Sequence, residues 1–189
     1  MRRALEVSEP FRLGQVVLNE VGTAAACLET TQSGRRRVKA LLVRGTPEAV
    51  LEQPAMSDVA VASRLTGLGP YVFYDGPADA SSGRFLRTVL QHLSPVPLEL
   101  RPSFGFGDRL GLATPGHVAS LERADTAAGI APVFAQQSVR ENSRTGRTPA
   151  EVLEDATFGV LQTGCAGALG ADADHVKTTE DIELFAQAG

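Results

Sequence analysis

The densest group of reactive side chains in the chain is Asp172-Ala173-Asp174-His175-Val176-Lys177, four ionisable residues in six. Side chains alternate between faces along an extended strand, so Asp172 and Asp174 would share one face and His175 and Lys177 the other. Two carboxylates on one face of a buried strand are costly unless they hold a cation, pair with Arg or Lys, or work as acid and base. Asp172 and Asp174 are therefore candidate catalytic groups.

Two earlier stretches also end in polar clusters. Phe104-Gly105-Phe106-Gly107 runs into Asp108-Arg109, and Ala131-Pro132-Val133-Phe134-Ala135 runs into Gln136-Gln137-Ser138. The glycines allow close backbone approach, so Asp108 and Arg109 can be presented at a strand end without crowding; an Asp-Arg pair there serves equally to close a turn. Gln136 and Gln137 exchange no protons at neutral pH but can fix sugar hydroxyls, and Arg140 can meet a carboxylate bidentately or stand as a solvated charge. His117, in Thr114-Pro115-Gly116-His117, falls at a helix start. That setting favours the neutral ring, suited to metal ligation, hydrogen bonding or a purely structural cap.

Parallel α/β folds collect chemistry at the carboxyl ends of their strands, where the loops converge. Each of the three polar clusters follows an apolar run and precedes a helical pattern, so the three predict a single site. The first pattern opens at Thr114-Pro115 and stops at Gly129. The second opens at Thr148-Pro149-Ala150-Glu151, a capping box with Pro at the first helical position, after a loop through Ser143, Thr145 and Gly146. The third is capped by Thr178 or Thr179 and runs to Gly189. The strand segments are short and apolar, as expected where both faces of a parallel strand are covered. The last of them is expected over Ala171 to Val176.

Residues 1–100 read as a small N-terminal α/β region. Val38 to Val43 and Tyr71 to Tyr74 are predicted strands, Thr46-Pro47-Glu48 opens a short helix through Leu51, and a second helix is predicted from Ser82 to Leu93. His92 on that helix reads as incidental. Pro95, Pro97 and Pro102 form a connector. Residues 101–189 then hold about three βα units. A (β/α)8 barrel typically needs about 250 residues, so the fold expected is an incomplete TIM-barrel-like domain, part of a longer protein.

Composition excludes other classes. The 189 residues are 43% hydrophobic and 21% charged, a globular mixture, and the net charge of -4 gives no footprint for nucleic acid. No run of about 18 apolar residues is present to cross a bilayer, and no signal-peptide core follows Met1-Arg2-Arg3, so a soluble, cytoplasmic protein is the expectation. Cys27 and Cys165 lack the spacing of a disulfide framework or zinc site. GxSxG, P-loop and HExxH motifs are absent, and in Gly105-Phe106-Gly107-Asp108-Arg109-Leu110-Gly111 the third glycine is one place late for dinucleotide binding. A DxD element occurs in metal-binding nucleotide-sugar transferases, but nothing else supports that class.

The segments SFGFGDRLGLATPGH (103–117), PVFAQQSVRENSRTGRTPAEVLEDATFGVLQTG (132–164) and GADADHVKTTEDI (170–182) resemble the tagaturonate epimerase family. The resemblance is long and ordered over residues 100–189. It implies a TIM-barrel-like, metal-dependent isomerase that interconverts tagaturonate and fructuronate in hexuronate catabolism, with a sugar acid as its small-molecule partner. It implies a divalent metal cation whose ligands lie mostly beyond Gly189. On that reading Asp108, Asp172 and Asp174 would act as acid, base or metal-organising groups. Arg109, Arg140 and Lys177 would hold the substrate carboxylate, and Gln136, Gln137, His117 and His175 its hydroxyls. The alternatives are a metal-dependent ketose or keto-acid aldolase, or a non-catalytic sugar-acid-binding fragment.

Overall fold

A computed structural model of the chain describes residues 17–18, 24–30, 36–43, 65–68, 71–124, 129–165 and 167–188. The chain divides into two compact units, Met1–His92 and Leu93–Gly189. The helix expected over residues 46–51 and the terminal Gly189 lie outside the described residues, as does the side chain of Cys27. No helix among the described residues is long and apolar enough to cross a membrane.

The first unit contains an antiparallel sheet of five strands: β1 (Val17–Leu18), β2 (Ala24–Thr30), β3 (Arg36–Val43), β4 (Leu65–Leu68) and β5 (Tyr71–Pro77), in the order β1-β2-β3-β5-β4. Helix α1 (Ala80–Val89) follows. It starts two residues before the expected Ser82 because the Asp79 side chain accepts from the Ser82 N–H at 2.9 Å and caps it. It also ends earlier than expected, passing into a 3₁₀ turn over Gln91–Leu93. Tyr74 is fully buried against Phe85, ring centroids 4.2 Å apart, and its hydroxyl is satisfied by Ser82 Oγ at 2.6 Å.

The second unit is a parallel sheet in the order β6-β7-β8, with β6 at Ser103–Gly107, β7 at Ala131–Ser138 and β8 at Gly170–Asp174. Helix α2 (Thr114–Arg123) follows β6, α3 (Val139–Thr145) and α4 (Pro149–Thr163) follow β7, and α5 (Thr179–Ala188) follows β8. The core is Phe134 with Val118, Val152, Leu153, Phe158, Val160 and Leu161. Only the central strand is covered as the apolar runs predict: every β7 residue but Gln136 is buried, whereas most of β6 and β8 is exposed. The reason is position, since β6 and β8 are the two outer strands of this sheet and each pairs with β7 alone among the described residues.

Two further expectations change. The loop expected through Ser143 and Thr145 is helix α3, capped at its start by Ser138 Oγ, which accepts from Glu141 N–H, and closed by Gly146 at φ 68°. Strand β8 stops at Asp174 rather than Val176, because His175 turns left-handed at φ 56°. Pleated alternation ends there, so the expected sharing of a face by His175 and Lys177 does not hold. Beyond the turn, Lys177 and Thr178 N–H groups both donate to Asp181 Oδ2 at 3.1 Å, and Thr178 Oγ1 accepts from Asp181 N–H, which makes Thr178 the cap of α5. The capping box at Thr148 and Glu151 forms as the sequence predicts.

Helices α2 and α4 meet where Gly159 leaves room for Thr114; a Cβ on Gly159 would stand 2.5 Å from Thr114 Cβ. Gly159→Ala is therefore expected to overpack the contact despite its better helix propensity and to cost about 1–3 kcal/mol. Urea unfolding of the two proteins checks this, and an unchanged or higher midpoint would show that the helices part freely.

Candidate functional site

The site is built on a mismatch within the sheet. Gly105 pairs with Val133 and Gly107 with Gln136, while on the other side Val133 pairs with Gly170 and Gln136 with Asp172. Strand β7 thus carries one residue more than either neighbour between Val133 and Gln136, a bulge just before the strand's carboxyl end, where such irregularities re-aim side chains. Gln136 lies against the bare backbone of β6: a Cβ on Gly105 would be 3.2 Å from its Cγ, and one on Gly107 3.6 Å from its Oε1. The glycines clear the space that this amide occupies.

The segment after β6 is folded around Asp108, which is buried. Its Oδ1 accepts the N–H groups of Leu110 at 3.0 Å and Gly111 at 2.8 Å, and its Oδ2 accepts that of Ala113 at 2.6 Å. Burial alone would push this carboxyl up; the backbone donors, Ala113 foremost, outweigh it and hold the carboxyl below its ordinary value of 3.8.

Arg147 ties the segment to the rest of the unit. Its Nη1 donates to the backbone oxygen of Asp108 and to Gln137 Oε1 at 2.9 Å, and its Nη2 to Asp155 Oδ2 at 2.8 Å. Its side chain is 13% exposed. One guanidinium therefore joins the β6–α2 loop, the end of β7 and helix α4. Gly111, at φ 71°, lies so close to the Asp155 carboxylate that a Cβ would be 2.1 Å from Oδ2, so only glycine fits. The amide of Gln137 is held at both ends, since its Nε2 also reaches Thr145 Oγ1 at 3.5 Å.

At the carboxyl ends of the three strands a pocket of about 230 Å³ is lined by Gly107, Asp108, Arg109, Gln136, Gln137, Ser138, Arg140, Glu141, Asp174 and His175. Glu141 pairs with three arginines: its Oε2 lies 2.9 Å from Arg109 Nε, and its Oε1 accepts from Arg144 Nη1 at 3.5 Å and lies 3.8 Å from Arg140 Nε. His175 Nδ1 lies 2.6 Å from Asp174 Oδ1. A carboxylate only accepts, so the ring nitrogen donates and the neutral ring keeps its lone pair on Nε2.

Seven of the ten residues singled out in the sequence thus line one pocket: Asp108, Arg109, Gln136, Gln137, Arg140, Asp174 and His175. The other three do not. Asp172 lines a separate, larger cavity of about 560 Å³ with residues of α4 and α5. Its carboxyl, on an exposed strand residue, is nonetheless pushed up by partial desolvation and by the neighbouring Asp174. His117 sits within α2, its ring 5.0 Å from that of Phe106, and its buried Nδ1 finds no partner among the described residues. Lys177 lines none of these cavities and is engaged through its backbone in the α5 cap.

Arg147 and Glu141 carry much of this geometry and were not legible as site residues. For Glu141 a signal existed, since Ser138-Val139-Arg140-Glu141 has the S-x-x-E spacing of a helix start. Arg147 precedes the Thr148 cap in a loop, and nothing in its neighbours marks it as buried.

A parallel βα sheet with its polar groups gathered at the strand carboxyl ends gives this unit the layout of the parallel α/β proteins, whose sites lie at those ends. The model of the tagaturonate epimerase family (UxaE) matches residues 36–189, and the chain belongs to that family. Over 104 residues it is 55% identical to the tagaturonate/fructuronate epimerase of Thermotoga maritima, a match covering 55% of this chain and 21% of that protein. Crystal structures of the fructuronate-tagaturonate epimerase UxaE from Cohnella laeviribosi are similar in fold. The form with one glycerol has a TM-score of 0.68 and 25% identity, covering 100% of this chain and 36% of that one. The native form has a TM-score of 0.68 and 26% identity, with the same coverage. The chain thus spans about a fifth of the curated relative and about a third of the crystallised one.

Two outcomes follow from the Arg147 and Asp108 contacts. Arg147→Lys keeps the charge but not a fork that reaches three acceptors, and is expected to cost about 1–3 kcal/mol in urea unfolding; a loss within error would show that Asp108, Gln137 and Asp155 are held by other means. Because the folded Asp108 carboxyl lies below 3.8, its contribution to stability is complete above its unfolded value and is lost as pH falls through the folded one. The stability gap between the unaltered chain and Asp108→Asn should accordingly be widest at about pH 7 and shrink towards about pH 2. A gap independent of pH would contradict this.

Proposed function

We propose that the strand-end pocket is part of the active site of a cytoplasmic sugar-acid epimerase of hexuronate catabolism, interconverting D-tagaturonate and D-fructuronate. We further propose that the three βα units are the opening portion of a (β/α)8 barrel completed in longer proteins. The observation that carries the reading is one pocket holding an Asp174–His175 pair at β8's end and two arginines, Arg109 just after β6 and Arg140 in the first turn of α3. An acid–base pair and a carboxylate-binding element are the two things a keto-uronate requires. The family to which the chain belongs supports it.

The carbon to be inverted lies β to the ketone, so removal of an α proton cannot invert it. Retro-aldol chemistry can: the hydroxyl on that carbon loses its proton, the adjacent carbon–carbon bond breaks to give an aldehyde and an enediolate, the aldehyde turns, and the bond re-forms on its other face. Asp174 takes the hydroxyl proton and returns it after re-addition. Arg109 and Arg140 hold the carboxylate, which stays on the aldehyde half, so that this half is retained for re-addition, and Gln136 bonds a hydroxyl over the glycines of β6. Asp108 and Gln137 act differently from the sequence expectation, because their polar atoms are engaged by backbone donors and by Arg147; they set the shape of the pocket.

The residues suit the divalent cation that the family implies. The Nε2 lone pair of His175 is a nitrogen donor of the kind such ions accept. We place the remaining ligands in the portion of the relatives that this chain does not span. A bound cation would polarise the ketone and stabilise the enediolate charge.

The test is incubation of the chain with D-tagaturonate and added divalent cation, followed by nuclear magnetic resonance. Appearance of D-fructuronate, lowered at least about 100-fold by Asp174→Asn with folding intact, is the expected result. Accumulation of cleaved fragments would mark an aldolase, and saturable binding without conversion a binding module; turnover unaffected by Asp174→Asn would remove that residue from the chemistry.

A further inference from the structure

The two helix starts that follow β7 have the same sequence spacing and different outcomes. At Thr148 the Glu151 carboxylate folds back to accept from its own cap residue, the Thr148 N–H at 2.7 Å, and closes the box. At Ser138 the backbone half of the motif forms, Ser138 Oγ accepting from Glu141 N–H at 3.2 Å, but the Glu141 carboxylate is turned instead to Arg109. The glutamate has left a stabilising local contact for a residue on another strand's end.

The edge by which each arginine is held matters. Arg109 meets Glu141 through Nε at 2.9 Å, and Arg140 approaches the same carboxylate through Nε at 3.8 Å. Among the described residues neither uses its Nη1–Nη2 edge, the fork that binds a carboxylate bidentately. Glu141 itself is 13% exposed, whereas the side chains of Arg109 and Arg140 are 68% and 67% exposed. A largely covered acid thus pairs with three arginines, of which Arg109 and Arg140 line the strand-end pocket with it and Arg144 does not.

We infer that Glu141 is a positioning residue that grips Arg109 and Arg140 by their Nε edges and so holds their Nη forks ready for the carboxylate of an acidic sugar. This rests on the pocket being a sugar-acid site and adds to it the source of its preference for acids over neutral sugars. Charge alone predicts the opposite of positioning. Removing an anion beside three arginines should tighten the binding of a negative ligand, whereas removing the anchor of Arg109 and Arg140 should weaken it, by about fivefold for exposed pairs of this kind.

The experiment titrates the 189-residue chain and Glu141→Gln with D-fructuronate and with neutral D-fructose, following backbone amide shifts and the Arg109 Nε–H signal. Expected are an about fivefold weaker response to the acid, an unchanged response to D-fructose, and loss of the ordered Nε–H signal. Equal or tighter binding of D-fructuronate by the variant overturns the inference. No saturable binding of D-fructuronate by the unaltered chain overturns the pocket reading and the inference with it. Should Glu141→Gln not fold, Glu141→Asp, one methylene too short to reach Arg109, replaces it with the same expectation.

Discussion

The second unit depends on one guanidinium. Arg147 reaches the Asp108 carbonyl, the Gln137 amide and the Asp155 carboxylate, and so joins a loop, a strand end and a helix. A charge with little exposure is tolerable only where its donors are met, and the planar fork of arginine meets acceptors in several directions at once. The constraint spreads outward. Asp155 must stand where it does, so Gly111 has no room for a side chain, and Asp108 must then turn the chain back within a few residues.

Around that fixed loop the pocket divides into groups that are spent and groups that are open. Asp108 and Gln137 spend their polar atoms on the fold, whereas the Gln136 amide and the Nη groups of Arg109 and Arg140 make no hydrogen bond among the described residues and line the pocket. A rigid set of satisfied polar groups beneath a smaller set of available ones is how a site gains preorganisation, since the ligand need not order the residues that receive it. The bulge in β7 belongs to the same design: it delivers Gln136 over Gly105 and Gly107 of β6.

Much of the architecture was legible because local rules and the tertiary structure agree. The strand–helix alternation, the Thr148 capping box and the grouping of polar clusters at strand ends all follow from apolar runs, cap residues and the geometry of parallel sheets. Where the readings differ, a single side chain decides. Asp79 moves the start of α1, Ser138 and Gly146 turn an expected loop into α3, and the left-handed turn at His175 ends β8 at Asp174, two residues short of the expected Val176.

The sequence by itself determined which residue types could do chemistry and roughly where along the chain each element begins, since caps, breakers and periodicity act between residues a few places apart. It could not decide that Asp172 falls outside the pocket that Asp174 lines, that Asp108 is spent on its own loop, or that Arg147 and Glu141 hold the others in place. Those outcomes depend on partners such as Asp108 and Arg147, 39 residues apart. Only the packing of helices and strands around a shared core brings such groups within bonding distance.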